Sequence, residues 1–266
     1  MVQHHLYLHA IWPCFKSHGS SATIIPFYAN EKDTNPRVEL LREEHLDRLN
    51  ETLELAFKND PLVNYLTYTR DRKKPSRAQQ KLAVLLWKKY MKFALKQQLA
   101  YTVDAGYSAL ISTPPEKDVK RLNPIERLFK TTLLKMFNLT SYLNRSPEQR
   151  RRYQEFIEKT KALSDAHLPG DAAKDMIYID LLATHPDYQG RGNATALLET
   201  VLFHADIRGR TVYLFTGNTV NIGFYGLFGF EDVGEALLGI DNPTWNGPPV
   251  RVPLMIRKPR LVKLDG

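Results

Sequence analysis

Residues 176–194 read Met176-Ile-Tyr-Ile-Asp-Leu-Leu-Ala-Thr184 and then His185-Pro-Asp-Tyr-Gln-Gly-Arg-Gly-Asn-Ala194. The first half alternates at period two, which predicts a strand. Ile177, Ile179, Leu181 and Ala183 share one face; Tyr178, Asp180 and Leu182 share the other. The second half is a polar loop in which Gly190 and Gly192 leave out side chains where the backbone approaches a partner. Beyond it Ala194, Leu197, Leu198, Val201, Leu202 and Ala205 recur at helical spacing, and Gly209 ends the pattern. The order strand, glycine loop, helix brings backbone N–H groups and the positive end of a helix dipole to one spot. Arg191 adds charge beside it, so the spot suits a phosphate or pyrophosphate. A Walker loop is excluded because no Gly-Lys-Ser/Thr follows. The dinucleotide fingerprint Gly-x-Gly-x-x-Gly fails at Thr195. A tight turn without a ligand stays open as the alternative.

Outward from this segment, strands and helices alternate. Val38–Leu41 reads as a short strand. Leu46, Leu49, Leu53, Ala56 and Phe57 recur as a helix that Asp60-Pro61 ends, opening another. Arg77 to about Leu99 is a long helical pattern with Leu82, Leu85, Leu86, Tyr90 and Phe93 on its apolar side. Ala100–Val103 and Tyr107–Ser112 are strands around a hairpin-like turn, Asp104-Ala-Gly106. Residues 116–170 form a basic helical block, and Leu163–Ala173, with Pro169-Gly170, reads as a loop. Val212–Thr216 is a strand, Asn221–Phe228 a short helix, and Phe230–Ala236 and Val250–Ile256 the last strands. The whole is an α/β or α+β single domain over 37–260, with residues 1–36 expected to be a poorly ordered tail.

The 266 residues are 43% hydrophobic and 25% charged, ordinary globular usage. The single cysteine, Cys14, excludes an internal disulfide framework and a cysteine-built zinc site. The tail holds four histidines (His4, His5, His9 and His18), but no metal site is expected. It has neither a basic n-region nor an unbroken apolar run, and no arginine precedes Arg37, so a cytoplasmic protein is expected. Formal net charge is +8, and residues 120–161 carry seven of it, with eleven Lys/Arg against four Glu. The block lacks interleaved aromatics and any DNA-reading motif, so it reads as a solvated helical face. No nucleic-acid or membrane partner is expected.

Gln189-Gly-Arg-Gly-Asn-Ala194 resembles the Gln/Arg-x-x-Gly-x-Gly/Ala signature of the GNAT superfamily of acetyl-CoA-dependent N-acetyltransferases. Leu181-Leu-Ala-Thr-His-Pro186 is similar to that family's pantetheine-binding strand. Asn221-Ile-Gly-Phe-Tyr-Gly-Leu-Phe-Gly-Phe230 is similar to its second motif. Within the superfamily the chain resembles puromycin N-acetyltransferase-like enzymes, through Ala56-Phe-x-x-Asp-Pro61, Ser112-Thr-Pro-Pro115 and a helical insert. The resemblance implies a central mixed, mostly antiparallel sheet flanked by helices, and direct attack of an amine on acetyl-CoA. It implies cofactor contacts from Leu182, Ala183 and Thr184, from Gln189, Gly190, Arg191, Gly192, Asn193 and Ala194, and from Asn221. Tyr225 becomes the candidate acid for the departing thiolate, since a phenol near ~10 still carries its proton at neutral pH, where a thiol near ~8.5 is the better leaving group. Asp180 becomes a base or relay if burial raises its low ordinary pKa; a salt bridge or an ammonium anchor is its other reading. His185, ahead of Pro186, is expected to be exposed. Asn193 is polar where the family often has an apolar residue. The acceptor implied is a small-molecule amine. A protein or polyamine acceptor, or a non-catalytic acyl-CoA binder, are the alternatives.

Overall fold

The computed structural model describes residues 36–119, 121–168 and 172–260. Expectations on the first 35 residues, including Cys14 and the four histidines, and on Pro169-Gly170 lie outside the described residues.

Seven strands form one sheet: β1 (Glu39–Leu40), β2 (Leu99–Val103), β3 (Ser108–Thr113), β4 (Ile177–Thr184), β5 (Val212–Phe215), β6 (Glu231–Leu238) and β7 (Val250–Arg257). Their spatial order is β1-β2-β3-β4-β5-β7-β6. Only β4 and β5 run parallel; every other neighbouring pair is antiparallel. The glycine-loop helix provides the crossover that this parallel pair requires. The mixed, mostly antiparallel sheet is the one anticipated.

The helices are α1 (Leu46–Ala56), α2 (Pro61–Thr67), α3 (Arg77–Ala94), α4 (Pro124–Asn144), α5 (Pro147–His167), α6 (Asn193–Ile207) and α7 (Asn221–Leu227). α6 lays Leu197, Leu198, Val201 and Ala205 on one face of the sheet, against Leu110, Ile177, Ile179, Val212 and Leu214. On the other face α1 and α3 pack Leu46, Leu49, Leu53, Leu86, Trp87 and Met91 against Ala109, Ile111, Leu181 and Ala183. α2 and α5 cover the β6–β7 end, with Leu62, Tyr65, Leu66 and Phe156 on Ala236, Leu238, Val250 and Val252.

Two sequence expectations need correction. Ile177 and Ile179 do not share a face with Leu181 and Ala183: they lie in opposite cores. The cause is a bulge. Ile111 pairs with Leu181, while the next β3 residue, Ser112, pairs with Ile179, which leaves Asp180 as an extra residue. One extra residue reverses the alternation beyond it. The second correction concerns α3, where Leu82 and Leu85 are 44% and 50% exposed. Its buried stripe is Ala83, Leu86, Trp87, Tyr90, Met91 and Ala94, which has the same helical spacing and carries the larger side chains.

The basic block is two helices, each opened by proline at its first turn and a reciprocal capping box: Asn123 with Glu126, and Ser146 with Gln149; the second stays helical to His167, through the first residues of the stretch from Leu163 expected to be a loop. α4 buries Leu133 and Phe137, yet its outer side leaves Ile125, Leu128, Met136, Leu139 and Leu143 about half to four-fifths exposed. In α5, Arg152 is 2% exposed. It pairs with Glu148 at 2.9 Å and donates to the Tyr65 carbonyl at 2.8 Å. Its guanidinium lies 4.8 Å and 5.3 Å from the Tyr65 and Trp245 rings. Arg152→Ala would leave those acceptors without their buried donor. Urea unfolding should show a loss of about 3 kcal/mol, the lower end for breaking a buried pair, because Glu148 keeps Asn242, Thr244 and Arg151.

Candidate active site

β4 and β5 pair only over Ile177–Ile179 with Val212–Leu214. β4 runs on to Thr184, and its other side stays bonded to β3 through Leu182, Ala183 and Thr184. From the Asp180 bulge onward the β5-facing edge of β4 has no neighbouring strand among the described residues. Such an edge offers unpaired N–H and C=O groups that an extended ligand can bond as a missing strand would.

A groove of about 530 Å³ follows this edge. Its lining includes Leu182, Ala183, Thr184, Gln189, Gly190, Asn193, Ala194, Asn221 and Tyr225. Nine of the twelve residues selected from sequence are thus brought together there. Asp180 lines the adjoining cavity instead, and Arg191 and Gly192 line neither. Arg191 is turned onto its own loop, donating to the Asp187 carbonyl at 2.7 Å and lying over the Tyr188 ring at 4.6 Å.

The loop's conformation explains its glycines. Gly190 and Gly192 are both left-handed, with φ of 74° and 78°. A Cβ on Gly190 would meet nothing within 4 Å. The glycine requirement is therefore conformational at the level of the protein alone, and the space above it faces the groove. The N–H groups from Gly190 to Ala194 have no bond among the described residues, as at any uncapped helix start. Asn193, the polar departure, is buried with its amide donating to Ser108 Oγ at 3.1 Å. It anchors α6 to the β2–β3 turn while its backbone stays on the groove.

The groove meets a smaller cavity of about 90 Å³, and Phe57, Asp60, Leu182, Asn221 and Tyr225 line both. Apolar walls come from Leu62, Val63, Phe156, Leu214 and Phe215. Phe156 is the contribution of the basic block. Two carboxyl residues, Asp60 and Asp180, line the cavity, and no lysine, arginine or histidine does among the described residues.

Asp180 Oδ2 accepts from Thr113 Oγ1 at 2.6 Å, while Oδ1 is buried with no partner among the described residues. Burial pushes this carboxyl well above the usual carboxylate range, only partly opposed by the Thr113 bonds. Burial likewise raises Tyr90, Tyr178 and Tyr213, and the charge of Asp180 raises each further. Asp60 caps α2, accepting from the Val63 N–H at 2.9 Å, and burial raises its carboxyl against that bond. Tyr225 is buried against Phe224 and Phe230, and its hydroxyl has no partner among the described residues. Burial raises this phenol above its ordinary value, so it keeps its proton through the neutral range.

His185 is not exposed as expected: it is 8% accessible, with Nδ1 accepting from the Asp187 N–H at 3.2 Å and its ring edge-on to Tyr107 and Tyr188. The stacked Tyr107–Tyr188 pair covers it, and it lines neither cavity. Sequence reading missed Thr113 and Asp60 as site residues. The signal for Asp60 was the Asp-Pro helix start; for Thr113 there was none, because its partner is set by the bulge.

Residues 156–230 match the model of the Acetyltransferase (GNAT) family. None of the curated proteins matches the chain. Among solved structures, agmatine N-acetyltransferase is similar at 12% identity and a TM-score of 0.50, covering 84% of this chain and 98% of that one. Polyamine N-acetyltransferase of Drosophila melanogaster is similar at 10% identity, with a TM-score of 0.49 and coverage of 84% and 100%. A histone acetyltransferase HPA2 and related acetyltransferase from Corynebacterium glutamicum is similar at 17%, with a TM-score of 0.47 and coverage of 86% and 99%. At such identities the likeness concerns the fold. The matched span holds β4, the glycine loop, α6, β5 and α7, so the segment that builds the groove is similar to the acetyltransferases of the GNAT family.

Proposed function

We propose that the protein transfers the acetyl group of acetyl-CoA to the primary amine of a small molecule by direct attack. One observation carries this reading: a strand-edge groove with a free-amide loop opens onto a small cavity lined by two carboxyls and, among the described residues, no cation. An ammonium group is favoured in such a cavity, and a raised carboxyl can take its proton.

Bound acetyl-CoA supplies the acetyl thioester. The amides of Gly190 to Ala194, at the positive end of α6, hold the pyrophosphate, with Gln189 and Arg191 beside them. The open edge at Leu182, Ala183 and Thr184 takes the pantetheine arm, and its N–H groups stabilise the oxyanion. Asn221 contacts the donor where groove and cavity meet. Asp180 takes the amine proton, directly or through a water. Tyr225 protonates the thiolate. The apolar walls favour an acceptor with a short apolar or aromatic body. The presence of two carboxyls favours a polyamine as the second reading.

The finer likeness to puromycin N-acetyltransferase-like enzymes is part of the proposal. Its motif residues Phe57 and Asp60 line both cavities, and Thr113 bonds Asp180. We also take 37–260 as one acetyltransferase domain, 1–36 as a separate tail, and the cytoplasm as its site of action. No helix among the described residues is long and apolar enough to cross a membrane, and no metal-holding cluster occurs among them.

The test is thiol release from acetyl-CoA against a panel of arylalkylamines, short alkylamines, agmatine, spermidine and a lysine peptide. Small apolar amines should turn over fastest. Stabilisation by acetyl-CoA, about 2.7 kcal/mol at a hundredfold excess over Kd, without thiol release for any amine would make the protein a binder and end the catalytic reading. Gly190→Val should weaken acetyl-CoA about tenfold or more. The left-handed residue costs a β-branched side chain about 1–3 kcal/mol, and the relaxed loop would no longer present its amides. Calorimetric Kd values for the two proteins check it.

A further inference from the structure

The positive block of the sequence resolves unevenly. In α5 most cations are compensated: Arg151 and Arg152 pair with Glu148, Lys159 with Glu155, and Lys161 with Asp165. Arg150 lies over the Tyr142 ring at 4.1 Å and donates to that residue's carbonyl. Arg121, Arg127, Lys130 and Lys135, in and just before α4, form no ion pair among the described residues. Three of these four line one cavity.

That cavity, about 560 Å³, lies between the end of α3, the start of α4 and the end of β3. Arg121, Arg127 and Lys130 line it together with Gln97 and Gln98, and Glu116, which is exposed, is its one acid among the described residues. Lys130 is half-buried, and its ammonium has a single partner among the described residues, the neutral Gln97 Oε1 at 2.8 Å. Loss of hydration lowers its pKa below that of a free lysine. A half-buried ammonium in a cavity whose cations outnumber its one carboxylate is stabilised by an anion from solution. Three cations against one carboxylate match a group of charge near −2, as a phosphomonoester is at neutral pH.

We propose that this cavity is a second ligand site, separate from the acetyl-donor groove, that binds a phosphomonoester. Tyr90 and Thr113 also line it, and Thr113 donates to Asp180, which lines the acceptor cavity, so one hydrogen bond links the two. The phosphate can belong to a soluble metabolite or to a lipid headgroup presented beside the exposed apolar face of α4. The inference does not rest on the acceptor proposed above.

The test is calorimetry with glycerol 3-phosphate at low salt, with acetyl-CoA saturating so that the Gly190–Ala194 loop is occupied. Binding should persist under saturation. Arg127→Gln and Lys130→Gln should each weaken it about tenfold, the usual effect of losing one charge-assisted hydrogen bond, and Arg150→Gln should leave it unchanged. The lipid arm is cosedimentation with phosphatidic acid vesicles against phosphatidylcholine vesicles. Binding to those vesicles alone, weakened by Arg127→Gln, assigns the phosphate to a lipid; binding of the free ester assigns it to a metabolite. No binding to either probe, displacement of the ester by acetyl-CoA, or equal losses in Arg127→Gln and Arg150→Gln would overturn the site. Arg127 is exposed, so its variant is informative even if Lys130→Gln unfolds.

Discussion

Tyr225→Phe should lower kcat by about 10²–10⁴, the range for losing a positioned acid, and leave the KM for acetyl-CoA within a few-fold. The substitution removes one oxygen and keeps the ring that packs on Phe224 and Phe230. That oxygen has no partner among the described residues, so its loss strands no buried donor or acceptor and stability should hold. A fall in kcat at constant KM identifies an interaction made in the transition state alone. The phenol's raised pKa keeps it protonated at neutral pH, and as a weaker acid than a thiol it yields its proton only as negative charge builds on the departing sulfur. A donor with a more acidic thiol needs less help, so the gap between Tyr225→Phe and the parent should narrow with such a donor. An unchanged gap, or activity within a few-fold of the parent, would reduce Tyr225 to a packing residue.

The residues that make the groove were legible because their physics is local. A left-handed loop needs glycine where it stands, so Gly190 and Gly192 announce it. A helix that buries one side repeats at its own period, so α6 is visible from Leu197 to Ala205. The same local rule would have divided the basic block, since Asn123-Pro-Ile-Glu126 and Ser146-Pro-Glu-Gln149 are both helix-start signatures. Other features depend on distant partners. The bulge at Asp180 comes from the way β3 registers on β4, and no pattern within residues 177–184 distinguishes a bulged strand from a regular one. With the bulge missed, the faces of Leu181 and Ala183 were misassigned, and Thr113, 67 residues away, could not be seen as the partner of Asp180. The loop position of His185 ahead of a proline predicts exposure, but Tyr107, just ahead of β3, covers it. α3 shows a third limit: two overlapping apolar stripes have helical period, and only the sheet beneath decides which is buried.

Asp180→Asn separates the chemistry of that carboxyl from its cost to the fold. Burial raises the Asp180 pKa, so between the ordinary carboxylate value and the raised one the folded protein holds a proton that the unfolded chain has released. Stability must therefore fall as pH rises through that interval. Asparagine carries no charge there, and its amide oxygen can still accept from Thr113. The variant should match the parent at low pH and be more stable above the interval, as read by urea unfolding across pH; Asp60, also raised, remains in both proteins and cancels. Activity should move the other way. A carboxyl that takes the amine's proton must first be ionised, so the parent's rate should climb with pH along a limb displaced above the usual carboxylate range. Asp180→Asn should abolish that limb and lower kcat by about 10²–10⁴. A group that only anchors the ammonium would instead raise KM with kcat nearly kept. A variant both more stable and nearly inactive would mean that the bulge holds an ionisable group in a costly place because the reaction needs it there.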